Sequence, residues 1–142
     1  PEMTVDSEVI FAVAEATGSA PDGLEQLYGA MAAAWVDERV DGTLYLARGV
    51  GRPLWLGLGR HEAFFASTRS TLQLVERALR LNLRLREVAD GRLLHLVDGG
   101  VAVEQRWQPD ASYVEPDVLP AVRAPHEGEH CFRRLAAIAA WS

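Results

Sequence analysis

Leu81-Asn82-Leu83-Arg84-Leu85-Arg86 alternates apolar and polar residues without a break, and the stretch it opens decides the fold class. A period of two puts the leucines on one face of an extended chain and the polar residues on the other, as in a half-buried strand. Asp90-Gly91 then precedes an apolar run over residues 93–97, and Asp98-Gly99-Gly100 joins that run to another over 101–106. Asp-Gly and Gly-Gly readily adopt the positive φ angles of tight reversals. The stretch therefore predicts hairpins in a mostly antiparallel sheet.

Working upstream, Ser70 and Gln73 have the spacing of a capping box, opening a helix through Leu72, Val75, Ala78 and Leu79. Before it, residues 44–48, 54–57 and 63–67 read as short strands, punctuated by Asp41-Gly42 and by Gly49-Val50-Gly51-Arg52. Two helices are predicted ahead of these strands. The first covers residues 7–16, with Val9, Ile10, Val13 and Ala14 at helical spacing, Asp6 and Ser7 as caps and Thr17-Gly18 as its stop. The second starts at Asp22, paired with Glu25. It carries an apolar stripe of Leu24, Leu27, Tyr28, Met31, Ala34 and Trp35, and Gly29 with the alanines at 32–34 would let it lie close to a sheet. Helices first and strands after them give an α+β reading, with helices packed on sheet faces.

The chain of 142 residues is 49% hydrophobic and 24% charged, which suits one domain with its own core. Fourteen basic against twenty acidic side chains, a net charge of −6, argue against a nucleic-acid partner. No apolar run approaches the roughly 18 residues of a membrane span, and no signal-peptide pattern opens the chain. One cysteine, Cys131, cannot form an internal disulfide, which points to a reducing cytoplasm. Beyond Trp107 the pattern weakens: Pro109, Pro116, Pro120 and Pro125 break the chain into extended pieces before a last helix reaching Trp141, with Phe132, Leu135, Ala136 and Ala139 on one side. The expected organisation is a domain over residues 1–107 and a tail over 108–142.

Several segments go beyond generic patterning. They are Val5-Asp6-Ser7-Glu8-Val9-Ile10, then Gly29-Ala30 and Asp37, then Asp41-Gly42-Thr43-Leu44-Tyr45-Leu46-Ala47-Arg48. Arg52-Pro53-Leu54-Trp55-Leu56-Gly57-Leu58-Gly59 and Phe64-Phe65-Ala66-Ser67-Thr68 complete the set. In order and spacing, over residues 4–105, they resemble the class II glutamine amidotransferase domain, in the form that begins glucosamine-6-phosphate synthase. In that family an Asp-Thr-Glu-Val-Ile-type helix start is followed by Gly-Ala, a strand ending in Ala-Arg, Pro-Leu, a Gly-x-Gly and an Ala-Ser-Asp.

The resemblance implies an N-terminal-nucleophile-hydrolase-like α/β/β/α sandwich that hydrolyses the amide of glutamine and releases ammonia, without a cofactor. The family's nucleophile is a cysteine at the mature N-terminus, followed by an arginine and a Gly-His-Asn-Gly loop. None of these stands in this sequence, which begins at Pro1 and matches only the family's second half. The expectation is a domain lacking its N-terminal portion, with no catalytic residue assignable. One functional position carries over: Asp6 matches the aspartate that holds the α-amino group of glutamine, a charge-assisted hydrogen bond. Asp6 also suits an ordinary N-cap. Thr68-Arg69 departs from the family's Ala-Ser-Asp and leaves that loop without an implied role.

A rival reading is a non-catalytic half-domain that binds a partner or a second copy of itself, since half a sandwich exposes strand edges and an apolar face. A more remote one is metal binding. His126-Glu127-Gly128-Glu129-His130 satisfies the zinc motif H-E-x-x-H, but Pro125 puts it in a helix's first turn and no third ligand of the usual kind follows. Pro1 could act as a base only if it led into a strand, and it precedes a helix cap instead. Cys131 neighbours His130 in sequence, so on a helix the two face apart. Arg48, Arg52 and Arg60 are expected as solvated strand ends rather than anion contacts, and Trp35, Trp55, Trp107 and Trp141 as core.

Overall fold

A computed structural model describes residues 8–114. In them α1 (Glu8–Thr17) and a single helical turn, α2 (Pro21–Leu24), precede β1 (Ala32–Val36), β2 (Leu44–Arg48), β3 (Trp55–Leu58) and β4 (Ala63–Ala66). Then come α3 (Arg69–Leu79), β5 (Arg84–Glu87), β6 (Arg92–Val97) and β7 (Gly100–Arg106). The strands form two antiparallel sheets, one ordered β1-β2-β6-β7 and the other β4-β3-β5. The α+β class follows directly. No helix among the described residues is long and apolar enough to cross a membrane.

Alternation along the strands builds two cores. On β2, Tyr45 and Ala47 face one way and join Ala14 of α1, Leu24, Met31, Trp35, Leu93 and Trp107. Leu46, one residue out of phase, faces the other way and meets Leu56, Val88, Leu94 and Leu96 between the sheets. Leu46, Leu56, Leu93 and Leu94 are completely buried, and each such side chain contributes about 1.5–3 kcal/mol of transfer free energy. On the far side α3 packs against β3, β4 and β5. Gly57 on β3 relieves crowding within the sheet: a Cβ there would stand 3.0 Å from Leu85 of β5, whereas Leu72 of α3, at 3.6 Å, would be an ordinary contact. Helix α1 thus contributes Ala14 to the core on one face of the four-stranded sheet, and α3 lies against the three-stranded sheet.

The local signals explain most elements. Gly18, at φ +62, stops α1 as expected. The hairpin at 98–100 is present, with Asp98 and Gly99 both at positive φ and Val97 opposite Gly100. α3 forms where expected, but its N-cap is Thr68 rather than Ser70, and Thr68 Oγ1 accepts from the Thr71 amide at 3.3 Å. Arg80, at φ +54, ends the helix, and the Leu81 amide reaches back to the Glu76 carbonyl.

Two expectations are corrected. No long helix runs from Asp22 to Trp35: one turn ends at Leu24, Gly29 takes φ +131, and residues 32–36 form β1. The Asp22–Glu25 capping box is likewise absent. Asp22 lies inside the turn with its carboxylate on the Gly23 amide, and Glu25 accepts from the Gln108 amide at 2.9 Å. Met31 and Trp35 satisfy a period of two as well as of 3.6, and pairing with all five residues of β2 overrides the helix propensity of the alanines.

The second correction concerns Asp90-Gly91. It does not join paired strands, because β5 belongs to the three-stranded sheet and β6 to the four-stranded one. The turn carries the chain across the sandwich instead. Gly91, at φ +66, donates to the Arg48 carbonyl at 2.8 Å and accepts from the Trp107 amide at 3.0 Å. A Cβ there would lie 2.3 Å from the Trp107 carbonyl oxygen, so only glycine fits.

Candidate functional site

A cleft of about 690 Å³ lies at the first turn of α1. Val9 and Ile10 form one wall, and the extended segment from Gln26 to Ala32 forms another. Arg52 and Pro53, from the loop after β2, and Ser67, just past β4, complete it together with Tyr113. Backbone geometry brings these pieces together. The Met31 amide donates to the Val50 carbonyl at 3.0 Å and the Gly49 amide to the Met31 carbonyl at 2.9 Å, stitching the loop to the segment before β1. Gly51, at φ +72, sits so close that a Cβ would stand 2.9 Å from that of Ala30.

Tyr28 and Tyr113 meet edge to face across the mouth, with ring centroids 5.5 Å apart and planes at 76°. The lining thus combines apolar walls, two phenols, a guanidinium, the Gln26 carboxamide and the Ser67 hydroxyl. It can seat a small polar molecule by shape and a few directed contacts. Among the described residues no group of three His, Cys, Asp or Glu side chains is placed to hold a metal ion. Asp6 lies outside the described residues, as do His126, His130 and Cys131.

A smaller cavity of about 260 Å³ lies between the end of α1 and the segment after β1. Its polar groups are engaged in holding the fold. Arg39 donates to both carboxylate oxygens of Asp37, at 2.8 and 2.7 Å, and to the Glu15 carbonyl near the C-terminus of α1. The hydrogen bonds from Arg39 hold the Asp37 carboxyl down at about 2. Behind them, Trp35 Nε1 donates to the buried Ser19 hydroxyl at 3.0 Å.

The arginines separate clearly. Arg48 is not a solvated strand end: its side chain is 14% exposed, with Glu87 at 2.7 Å, Asp90 at 2.8 Å and the Val88 carbonyl as a further acceptor. The turn that crosses between sheets brings these acceptors to it. Arg52 lies in the wall of the cleft, and Arg60 is exposed. Tyr28, Ser67 and Tyr113 were not legible as site residues. Tyr28 sits in the apolar stripe of the expected helix, and no pattern around Tyr113 points back to α1.

No protein-family model matches the chain, and no curated protein matches it either.

Proposed function

We propose that this chain is a class II glutamine amidotransferase-type domain, an N-terminal-nucleophile-hydrolase-like α/β/β/α sandwich whose cleft receives the amino-acid end of glutamine. One observation carries the reading. Val9 and Ile10, Gly29 and Ala30, Arg52 and Pro53, and Ser67 come from four separate segments that resemble that family, and all of them line the same cleft. Sequence spacing alone gives no reason for four such segments to converge.

In this reading Asp6, two residues ahead of α1, pairs with the α-ammonium group of glutamine. Hydrolysis further requires a thiolate that attacks the side-chain amide carbon, forming a glutamyl thioester as ammonia leaves, after which water frees glutamate. In the family that thiolate belongs to an N-terminal cysteine. The reading for these 142 residues is therefore recognition of glutamine, in a cytoplasmic setting.

Titration calorimetry with glutamine tests it. Saturable binding is expected, and Asp6→Ala should weaken it roughly ten- to a hundredfold, the loss of one hydrogen bond to a charged group. Glutamine with a blocked α-amino group should not bind. Absence of heat, or an Asp6→Ala chain that binds as tightly as the original, overturns the reading. The non-catalytic alternative draws on a different observation, the open side of the sandwich.

A further inference from the structure

The two sides of the sandwich differ in charge and closure. On one side β5 and β7 are joined by Arg86 and Glu104 at 3.0 Å, with Arg92 3.7 Å from the same carboxylate. On the other side are β1 and β4, each with a neighbour on only one flank among the described residues. Their sequences, Ala32-Ala33-Ala34-Trp35-Val36 and Ala63-Phe64-Phe65-Ala66, contain no charged residue and no proline.

Two inward-facing side chains on that side stay exposed. Ala34 and Ala63 pack against the core between the sheets, and alternation places Val36 on the face of Ala34. Phe65 stands opposite the fully buried Leu56, on the same inner face. Yet Val36 is 72% exposed and Phe65 43%. Free edges are ordinarily guarded by charge, proline or a bulge, because their unpaired N–H and C=O groups recruit other strands. Here two unguarded edges lie on one side, next to apolar residues that face into the sandwich.

We propose that this side is a self-association surface, on which β1 pairs antiparallel with β1 of a second copy about a twofold axis through Ala34. The register is self-consistent. Val36 would lie opposite the partner's Ala32, Asp37 opposite the partner's Met31 and Glu38 opposite the partner's Ala30, so no like charges meet despite the net charge of −6. A twofold contact needs one patch complementary to itself, and a short uncharged strand satisfies that. The four-stranded sheet would continue into eight strands, and the exposed Val36 and Phe65 would be covered.

The surface stands independently of glutamine recognition, because its test reads mass and not ligand. Light scattering during size-exclusion chromatography of the full chain, at tens of micromolar, should give twice the protomer mass. Val36→Lys and Phe65→Lys alter exposed positions and should each weaken the dimer about tenfold or more while the circular dichroism spectrum stays unchanged. Val103→Lys, on the β7 edge, should leave the dimer intact. A monomeric parent chain overturns the proposal. A dimer that survives both lysine substitutions at β1 and β4, or one lost through Val103→Lys, overturns it equally.

Discussion

The guanidinium of Arg48, at the end of β2, donates to Glu87 at 2.7 Å and so fastens the four-stranded sheet to the last residue of β5 in the other. The same side chain donates to the Val88 carbonyl and lies 2.8 Å from Asp90. One residue thus gathers the acceptors of the segment that crosses between layers.

Replacing Arg48 by methionine keeps the bulk of the stem and removes every donor. The Val88 carbonyl then loses this donor in a part-buried site, while Glu87 and Asp90, both about half exposed, can turn to water. Urea unfolding should show a loss of about 1–3 kcal/mol. Arg48→Lys should recover only part of it, since one ammonium cannot reproduce the guanidinium's fork. An unchanged midpoint for Arg48→Met would show that the clamp contributes nothing.

Gly91 offers a sharper contrast. Gly91→Ala should cost more than about 2 kcal/mol, combining a left-handed backbone with a steric clash. Asn tolerates left-handed φ but carries the same Cβ, which would meet the Trp107 carbonyl at 2.3 Å. Gly91→Asn is therefore expected to be nearly as destabilised as Gly91→Ala. Thermal melts of the two variants decide the point, and recovery by Asn would mean that the clash is relieved by a small backbone shift.

Asp37 should resist acid. With Arg39 holding its carboxyl at about 2 rather than the usual 3.8, the folded chain binds that proton later than the unfolded chain does. Its contribution to stability is accordingly complete above the unfolded value and fades as pH falls from there through about 2. Carbon-detected NMR should place the Asp37 midpoint near 2, moving towards 3.8 in Arg39→Ala. A midpoint near 3.8 in the parent chain would mean that the ion pair does not persist in solution.

What the sequence disclosed follows from where the deciding interactions lie. The strand at 44–48, the reversal at Asp98-Gly99 and the stop at Gly18 are local matters of side-chain alternation and φ. Each was legible. Residues 22–35 were not, because Met31 and Trp35 fit both periods and only pairing with β2 separates them. Asp90-Gly91 was legible as a turn but not as a crossing, since a dipeptide specifies a reversal and not the strand beside which the chain resumes. The cleft shows the same division. Gly29 and Pro53 stood within the family-like segments, whereas Tyr113 joins through one aromatic contact across the fold.

The crossing at Gly91 also sets the order in which the molecule can assemble. Everything from β3 to β5, including α3, is contiguous in the chain and forms the three-stranded layer from nearby contacts. The four-stranded sheet must instead bring Leu44 opposite Leu96 and Arg48 opposite Arg92. Closing that long loop costs entropy before any pairing rewards it. Of the strand pairings described, the β2–β6 seam spans the most chain, so topology places it after the β3–β5 unit.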